Sequence, residues 1–375
     1  MCAFTFTVFV SAFLLLPTAP FRILSLGGSE FAAGLFLGFL TYASAISAPL
    51  TGALADRFGR QRVLVVCSLA ITGFSVAYAL TNSYQVPLIL VPLHGLFWSG
   101  LLAASAAHLT DMLPASRRTE GIGYWGLSTI LAMAVAPSLG FWLLRRGWVF
   151  VCAASAAMNL AMAVIAAFVV RRTPAADARH HPASLVEWRV VWTSVALFLY
   201  SFGYGGITSF VAVYAEANGV APKSLYFTVL ATTIAATRPI SGPLADRIGA
   251  RRVFVPCLVL IAIGLGLLAY SGTRPWLIGS AIVFGAGFGS AYPVYASYVV
   301  QNVAAERRGA AFGGILAAFD TGIGTGSIAT GWLIAHFGFQ VAFATAALLS
   351  LVSIPYFLFA ERRFLLAPIT AAGAP

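Results

Sequence analysis

The chain has 375 residues, of which 60% are hydrophobic and only 9% are charged, and its mean hydropathy is +0.91. Soluble domains carry about 25% charged residues, so this composition excludes a water-soluble globular protein. The formal net charge of +11 is explained by basic loops between membrane spans, so we do not interpret it as nucleic-acid binding.

Twelve apolar segments of spanning length follow one another, and none alternates as a β-strand does. We therefore predict an all-α integral membrane protein, because helices satisfy their own backbone in lipid. Spans 1 to 6 cover about residues 4–24, 31–53, 63–79, 86–109, 122–144 and 149–170. Spans 7 to 12 cover about residues 190–214, 225–244, 253–270, 276–300, 310–335 and 341–359.

A polar stretch divides the spans into two sets of six. Residues 171–189 hold six charged side chains and two prolines, which predicts a cytoplasmic linker rather than a span. The predicted domains are therefore an N-terminal bundle over residues 1–170 and a C-terminal bundle over residues 190–375. We interpret the linker histidines His180 and His181 as solvated side chains, not as a metal site.

The stretch Gly52–Arg62, between spans 2 and 3, recurs 190 positions later as Gly242–Arg252, between spans 8 and 9. We name these stretches the first motif and the second motif. The residues of the first motif that are identical 190 positions later are Gly52, Leu54, Ala55, Asp56, Arg57, Gly59 and Arg62. A repeat of this length indicates two copies of one unit, related by an axis along the membrane normal. We therefore expect the substrate site between the copies, near the bilayer midplane.

Both motifs resemble the loop between helices 2 and 3 of the major facilitator superfamily, whose pattern is G-x-L-a-D-r-x-G-r-[RK]-[RK]. The resemblance implies twelve transmembrane helices in two pseudo-symmetric six-helix bundles around one cavity. It also implies that the loop is a conformational latch, although loop charges that only set topology are the alternative. The predicted latch residues are Gly52, Asp56, Arg57, Gly59, Arg60, Gly242, Asp246, Arg247 and Gly249. We expect Gly52 and Gly242 to allow close helix packing.

The basic residues predict the orientation. With both termini inside, sixteen arginines fall on the inner side and five basic residues fall on the outer side. We therefore predict a multi-pass protein of the bacterial inner membrane with both termini in the cytoplasm.

Two side chains that are charged at neutral pH when their pKa is unperturbed fall well inside predicted spans, Arg238 in span 8 and Asp320 in span 11. A charge is costly in lipid, so each should face protein or a water-filled cavity. Asp320 is a candidate for proton coupling, and an ion pair with Arg238 is the structural alternative. Arg238 is alternatively interpreted as extending to the membrane interface.

In the resembled superfamily, spans 1, 4, 7 and 10 line the substrate cavity. The candidate cavity residues are His94, Trp98, Tyr200, Tyr204, Thr208, Tyr292 and Tyr295. An aromatic, hydroxyl-bearing and nearly uncharged lining suits a neutral or amphiphilic solute. Glycines in spans 7 and 10, and Pro293, predict helices that bend there. Gly322, Gly324 and Gly326 of span 11 are expected to pack or flex beside span 2.

Span 4 departs from the drug–proton antiporter pattern R-x-x-q-G, since Val91 stands where the arginine is expected. Span 5 resembles a weakened antiporter element, with Ala132 and Ala136 in place of glycines. The runs 114–118, 121–126 and 319–324 resemble bacterial arabinose-efflux-like and drug-efflux-like permeases.

These features predict a secondary transporter that works by alternating access. The leading hypothesis is proton-coupled efflux of a small neutral or amphiphilic solute, such as a sugar or a drug-like compound; uptake or uniport of a sugar or other metabolite is the alternative. We expect a monomer whose partners are a small-molecule substrate, the lipid bilayer and protons, without nucleic acid. The sequence has no nucleophile elbow, HExxH or phosphate loop, so we predict no enzyme and no cofactor. The cysteines are interpreted as buried apolar side chains without a disulfide bond or metal: Cys2, Cys67, Cys152 and Cys257.

Overall fold

The structure is a computed structural model that describes residues 2–112, 118–168, 187–304 and 307–365, with the backbone alone described at residues 56, 110–112 and 118–125. The first half contains α1 (Cys2–Leu15), α2 (Ala19–Ser25), α3 (Glu30–Phe58), α4 (Arg60–Leu80), α5 (Gln85–Met112), α6 (Arg118–Leu144) and α7 (Trp148–Phe168). The second half contains α8 (Trp188–Ala217), α9 (Leu225–Ile248), α10 (Ala250–Tyr270), α11 (Arg274–Gln301) and α12 (Arg308–Ala360), followed by a π-helical turn (Glu361–Leu365).

These helices make twelve membrane crossings, which confirms the predicted fold class. Ten helical segments of the described residues are long and apolar enough to span a membrane. One of them, Arg308–Leu365, contains α12 and bends at Gly338, whose φ of 83° suits glycine, so this segment crosses the membrane twice. The helix α9 supplies the remaining crossing, although its Arg238, Asp246 and Arg247 make it more polar than the others.

Two sequence predictions of boundaries need small corrections. Span 1 is two helices, α1 and α2, because Pro17 and Pro20 interrupt the backbone hydrogen bonds between them. The helix α8 begins at Trp188, inside the predicted linker. The rest of that linker, with His180 and His181, lies outside the described residues, so the domain division at residues 171–189 stays a prediction.

Hydroxyl and amide groups fill part of the core of the first half. Ser155 Oγ lies 2.8 Å from Ser11 Oγ and 3.2 Å from Ser75 Oγ, and Asn159 Nδ2 donates to Ser75 Oγ over 3.2 Å. All four side chains are buried. These bonds join α1, α4 and α7, because hydrogen bonds between small polar residues hold membrane helices together.

Cys67 and Cys152 are buried as expected, whereas Cys2 at the start of α1 is exposed, contrary to the prediction.

Aromatic rings fill the core of the second half instead. Phe254 lies 5.2 Å from Tyr295 and 4.8 Å from Phe357, measured between ring centroids. The ring of Phe288 lies 5.2 Å from that of Phe284 in a stacked arrangement. These contacts join α10, α11 and α12 through large apolar surfaces.

The glycines of spans 7 and 10 provide close packing, and the expectation that they also loosen these helices stays a prediction. Both α8 and α11 are continuous helices. A Cβ atom at Gly205 would collide with the backbone of Ile323, and one at Gly287 would lie 2.5 Å from the carbonyl oxygen of Cys257. Because glycine has no side chain, the neighbouring helices can approach closely at these two positions.

The two motifs have the same backbone shape, which confirms the repeat locally. Gly59 separates α3 from α4 with φ 88° and ψ 134°, and Gly249 separates α9 from α10 with φ 96° and ψ 138°. Only glycine adopts these dihedral angles readily.

Candidate functional site

The helices α3 and α12 join the two halves through their backbones. A Cβ atom at Gly34 would lie 2.5 Å from the carbonyl oxygen of Ser327, and Ser327 Oγ donates to the carbonyl of Gly34 over 2.9 Å. A Cβ atom at Gly324 would lie 3.2 Å from the carbonyl oxygen of Gly38. We name this contact the α3–α12 interface. Of the three span 11 glycines expected beside span 2, only Gly324 faces it.

The other two glycines of that group pack against α8. A Cβ atom at Gly322 would lie 2.5 Å from the carbonyl oxygen of Phe198, and one at Gly326 would collide with the carbonyl of Phe202. The expectation for Gly322 and Gly326 was therefore wrong, because these residues face their own half.

Asp320 lies where the α3–α12 interface ends. Ser44 Oγ of α3 donates to Asp320 Oδ2 over 3.3 Å, and one turn further along α12 the Tyr42 hydroxyl lies 2.6 Å from Thr325 Oγ1. Tyr292 of α11 contacts Phe319, the residue before Asp320, with ring centroids 4.9 Å apart. The carboxyl group is thus shared between the two halves of the chain.

A second pair of helices, α6 and α9, also joins the halves, but through side chains. Ser138 Oγ donates to Ser224 Oγ over 2.9 Å, and Thr228 Oγ1 reaches the carbonyl of Ala134 at 3.5 Å. Further along, Arg238 Nη1 lies 3.2 Å from the position that a Cβ atom of Gly126 would occupy. We name this contact the α6–α9 interface. The 190-residue repeat relates it to the α3–α12 interface, since span 2 corresponds to span 8 and span 5 to span 11.

The predicted ion pair between Asp320 and Arg238 is not formed. Among the residues that the structure describes, Arg238 has no carboxylate oxygen within 4.0 Å, and Asp320 is bonded by Ser44 instead. The two charges occupy different interfaces, Asp320 on α12 and Arg238 on α9, so they cannot neutralise each other here.

The halves contact each other at one end of the molecule, and the first glycine of each motif has no close neighbour at the other end. Lys223 Nζ lies 4.5 Å from the ring centroid of Phe21, which places the starts of α3 and α9 at the same end; we call this the Glu30 end. At the opposite end, which carries both motifs, a Cβ atom at Gly52 or Gly242 would meet no described atom within 4 Å. We call this the motif end. The expected close helix packing at Gly52 and Gly242 is therefore wrong for this conformation.

The other latch residues surround this open end. Arg57, Asp246 and Arg247 are exposed, and the Arg57 guanidinium lies 5.6 Å from the ring centroid of Phe58. Arg60 Nη1 donates to the carbonyl of Ala107 over 2.7 Å. Gly59 and Gly249 break the helices as described above. The side chain of Asp56 lies outside the described residues, so its part in a latch stays a prediction.

A cavity of about 540 Å³ lies at the motif end of the second half. Arg238, Ser241 and Asp246 of α9 line one side of it. Pro293 and Tyr298 of α11 line the other side. Its size is within the range of pockets that hold small organic molecules.

Three of the predicted cavity residues are half-buried: Trp98, Tyr204 and Tyr292. Tyr204 stacks on Phe288 with ring centroids 4.3 Å apart, and its hydroxyl lies 3.8 Å from Met133 Sδ of α6. Tyr292 contacts Phe319 at 4.9 Å, next to the cavity residue Pro293. The third, Trp98, contacts Phe9 of its own half edge to face, with ring centroids 5.9 Å apart.

The remaining predicted cavity residues are engaged inside a bundle. His94 Nδ1 lies 3.2 Å from the Tyr78 hydroxyl, and its ring stacks on Phe74 at 5.7 Å. The hydroxyl of Tyr295 lies 3.0 Å from Ser194 Oγ. Thr208 Oγ1 donates to the carbonyl of Tyr204 over 2.8 Å. Contact of these three side chains with a substrate stays a prediction that this conformation does not favour.

Tyr200 is a special case, because it is fully buried and its hydroxyl has no hydrogen-bond partner among the described residues. Its ring lies within 6.3 Å of those of Phe254, Phe288 and Phe319. A buried hydroxyl without a partner is costly, so Tyr200 is a side chain that a ligand or a water molecule would satisfy.

Sequence reasoning missed the residues of the first half that contact Asp320, Arg238 and Tyr204. Ser44, Gly126 and Met133 are small or apolar residues in apolar spans, and nothing in their neighbours distinguishes them. The repeat gives a partial signal: 190 positions away, Arg238 corresponds to Ala48 and Asp320 to Ile130. A charge that only one copy carries is not required by the fold that both copies share.

Comparison with known proteins agrees with this architecture. A family model described as the Major Facilitator Superfamily matches residues 1–235 and 193–374. The uncharacterized MFS-type transporter YhhS of Escherichia coli strain K12 is 27% identical over 332 residues, covering 86% of this chain and 82% of the relative. The cis,cis-muconate transport protein of Acinetobacter baylyi is 26% identical over 306 residues, covering 75% of this chain and 73% of the relative.

Among solved structures, a bacterial homolog of the human lysosomal transporter Spinster, in an inward-facing and occupied conformation, has the same fold. Its TM-score is 0.79 at 18% identity, covering 98% of this chain and 97% of that one.

Proposed function

This chain belongs to the Major Facilitator Superfamily, whose members are secondary transporters working by alternating access, and we propose that it couples proton movement to efflux of a small neutral or amphiphilic solute. It is a multi-pass membrane protein, and its substrate is a small molecule. Proton coupling, direction and substrate are the parts that the proposal adds.

The observation that carries the proposal is the hydrogen bond from Ser44 to Asp320, because it crosses between the halves. An ionised carboxylate can only accept hydrogen bonds, whereas a protonated acid also donates one. Protonation therefore changes how Asp320 bonds to α3, and it removes a charge from the membrane interior. A group with different contacts in its two protonation states shifts a conformational equilibrium.

The charge distribution supports an inward-facing assignment for this conformation. The motif end carries the basic loops, and the positive-inside rule assigns such loops to the cytoplasm. The halves contact each other at the Glu30 end, and the cavity lies at the motif end, so we propose that a solute enters the cavity from the cytoplasm. We propose that both termini are cytoplasmic and that a monomer acts in the bacterial inner membrane.

The aromatic groups support a neutral or amphiphilic solute, sugar-like or drug-like. Tyr204, Phe288 and Tyr292 offer flat surfaces and hydroxyl groups near the boundary between the halves. Such surfaces bind by stacking and hydrogen bonding. Uptake or uniport of a small metabolite is the second candidate function, favoured by Val91 in place of the arginine typical of drug–proton antiporters.

Solute flux in everted membrane vesicles tests the proposal. A panel of sugars, cationic dyes, antibiotics and organic acids is offered under an imposed proton gradient without ATP. We expect gradient-dependent accumulation of at least one solute by the wild type, and none by folded Asp320→Asn.

The matched control is Glu216→Gln, which removes an exposed acid that pairs with Lys223 away from the cavity. This variant should transport normally. Equal gradient-dependent flux in wild type and Asp320→Asn would remove Asp320 from the coupling mechanism. Flux that does not need the gradient would support the uniport alternative.

A further inference from the structure

We propose that Arg238 is the anion-binding subsite of the transport pathway, so the transported solute is an amphiphilic organic anion with a carboxylate-like group and a flat apolar body. This inference deepens the proposed function by naming a solute class, and it rests on the proposal that the chain transports an amphiphile. It concerns the α6–α9 interface, whereas the proton proposal concerns the α3–α12 interface.

Arg238 is a cation inside the membrane without a counter-charge from the described residues. Asp320 is held by Ser44, and the buried Glu361 pairs with Arg251 at 3.4 Å. Asp246 lines the same cavity, but it follows eight residues later on α9, which is about 12 Å along the helix axis. An unpaired charge in a membrane span is costly and marks a functional position.

Extension of the side chain to the membrane interface does not explain Arg238. The predicted span ends near residue 244, six residues beyond, which is about 9 Å along the axis, so the guanidinium would have to extend along α9 to reach the interface. The guanidinium instead points across to α6, where its Nη1 lies 3.2 Å from the Cβ position of Gly126. Any larger side chain at residue 126 would displace it.

The shared fold does not require this arginine either. Its counterpart in the first half is Ala48, on the equivalent helix α3. The motif residues a few positions further on are kept in both halves, so the repeat is well preserved here and the charge is an addition to it. A feature of one copy alone is expected for recognition of an asymmetric solute.

The surroundings of Arg238 form a pocket with a polar and an apolar part. Arg238 and Ser241 line the cavity of about 540 Å³, with Pro293 facing them from α11. A guanidinium binds a carboxylate through two parallel hydrogen bonds, which suits a group that enters this cavity end-on. Tyr292 precedes Pro293 and contacts Phe319, so aromatic surface begins beside the charge.

The face of α6 gives the length of the solute. Gly126, beside Arg238, and Met133, beside the Tyr204 hydroxyl, are seven residues apart and share one face of the helix. Two turns of helix separate them by about 10 Å. A solute of that length places its anionic group on Arg238 and its flat body near the stacked rings of Tyr204 and Phe288.

Binding of aromatic monocarboxylates to the purified full-length protein tests the inference. The probes are benzoate, cinnamate and 2-naphthoate, each compared with its uncharged alcohol analogue, and affinity is measured by titration calorimetry without any proton gradient. We expect at least one carboxylate to bind at least tenfold more tightly than its alcohol. The preference should disappear in Arg238→Gln and be partly kept in Arg238→Lys.

The controls separate this inference from the proton proposal and from misfolding. Arg274→Gln removes an arginine at the start of α11 and should leave the preference intact. The binding assay uses no proton gradient, so its outcome does not depend on whether Asp320 couples transport to protons. Failure of all three carboxylates to bind, or an equal preference in wild type and a folded Arg238→Gln, overturns the inference. If Arg238→Gln does not fold, Arg238→Lys decides: a folded Arg238→Lys that binds carboxylates no more tightly than alcohols also overturns the inference.

Discussion

The two contacts between the halves are related by the internal repeat, yet they are built differently. The α3–α12 interface brings backbones together at Gly34 and Gly324, and Asp320 closes it. The α6–α9 interface uses the hydroxyls of Ser138 and Ser224 and ends at Arg238. Backbone contact allows little sliding without collision, whereas side-chain contact adapts. The α3–α12 interface is therefore the more rigid of the two, where we propose that a proton is sensed, and the α6–α9 interface is the more adaptable, where we propose that a solute binds.

The difference in packing gives the largest expected effect. Gly34→Ala should lower the melting temperature and reduce the amount of folded protein, because the new Cβ meets the Ser327 carbonyl at 2.5 Å. Overpacking of this kind costs about 1–3 kcal/mol. Thermal unfolding of the detergent-purified protein measures it.

The control for that variant is Gly73→Ala in α4, where a Cβ atom has no described neighbour within 4 Å. This change should be neutral or stabilising by up to about 1 kcal/mol, because alanine favours helix. Equal melting temperatures for the two variants would show that the α3–α12 interface is not tightly packed in the membrane.

A substitution inside one bundle shows whether the effect is specific to the interfaces. His94→Phe keeps the ring against Phe74 but leaves the Tyr78 hydroxyl without its partner, at a cost of about 1–3 kcal/mol. We expect a lower melting temperature with unchanged solute affinity in calorimetry. A stable variant with weakened affinity would return His94 to the substrate cavity that the sequence predicts.

The looser interface should tolerate loss of its hydrogen bond. Ser138→Ala removes the bond to Ser224, and the expected destabilisation is about 0.5–1.5 kcal/mol, smaller than that of Gly34→Ala. The same thermal assay compares the two variants. A larger effect of Ser138→Ala than of Gly34→Ala would reverse the comparison.

The sequence alone predicts the elements that depend on local chemistry. The apolar segments predict the spans, and the repeated glycine at positions 59 and 249 predicts where paired helices separate, because only glycine takes that backbone conformation readily. Asp320 and Arg238 are identifiable as candidate sites since a charge in a span is expensive. These inferences need no knowledge of which helices meet.

What the sequence could not predict depends on the contacts between the halves. Gly52 is expected to pack closely, yet a Cβ atom there would meet no described atom within 4 Å. Arg238 lies beside Gly126 of the other half, not beside Asp320, because α9 and α12 belong to different interfaces. Such contacts change as a transporter changes conformation, so no single sequence pattern encodes one set of them.

The central claim is that protonation of Asp320 controls how the halves meet, and a distance across the motif end tests it most directly. Spin labels at Ala53 and Gly313, both exposed, would report this distance by pulsed electron paramagnetic resonance after replacement of the four native cysteines. We predict a distance distribution that shifts between acidic and mildly alkaline buffer in the labelled wild type and is insensitive to pH in Asp320→Asn. An equal shift with pH in the variant would contradict the account.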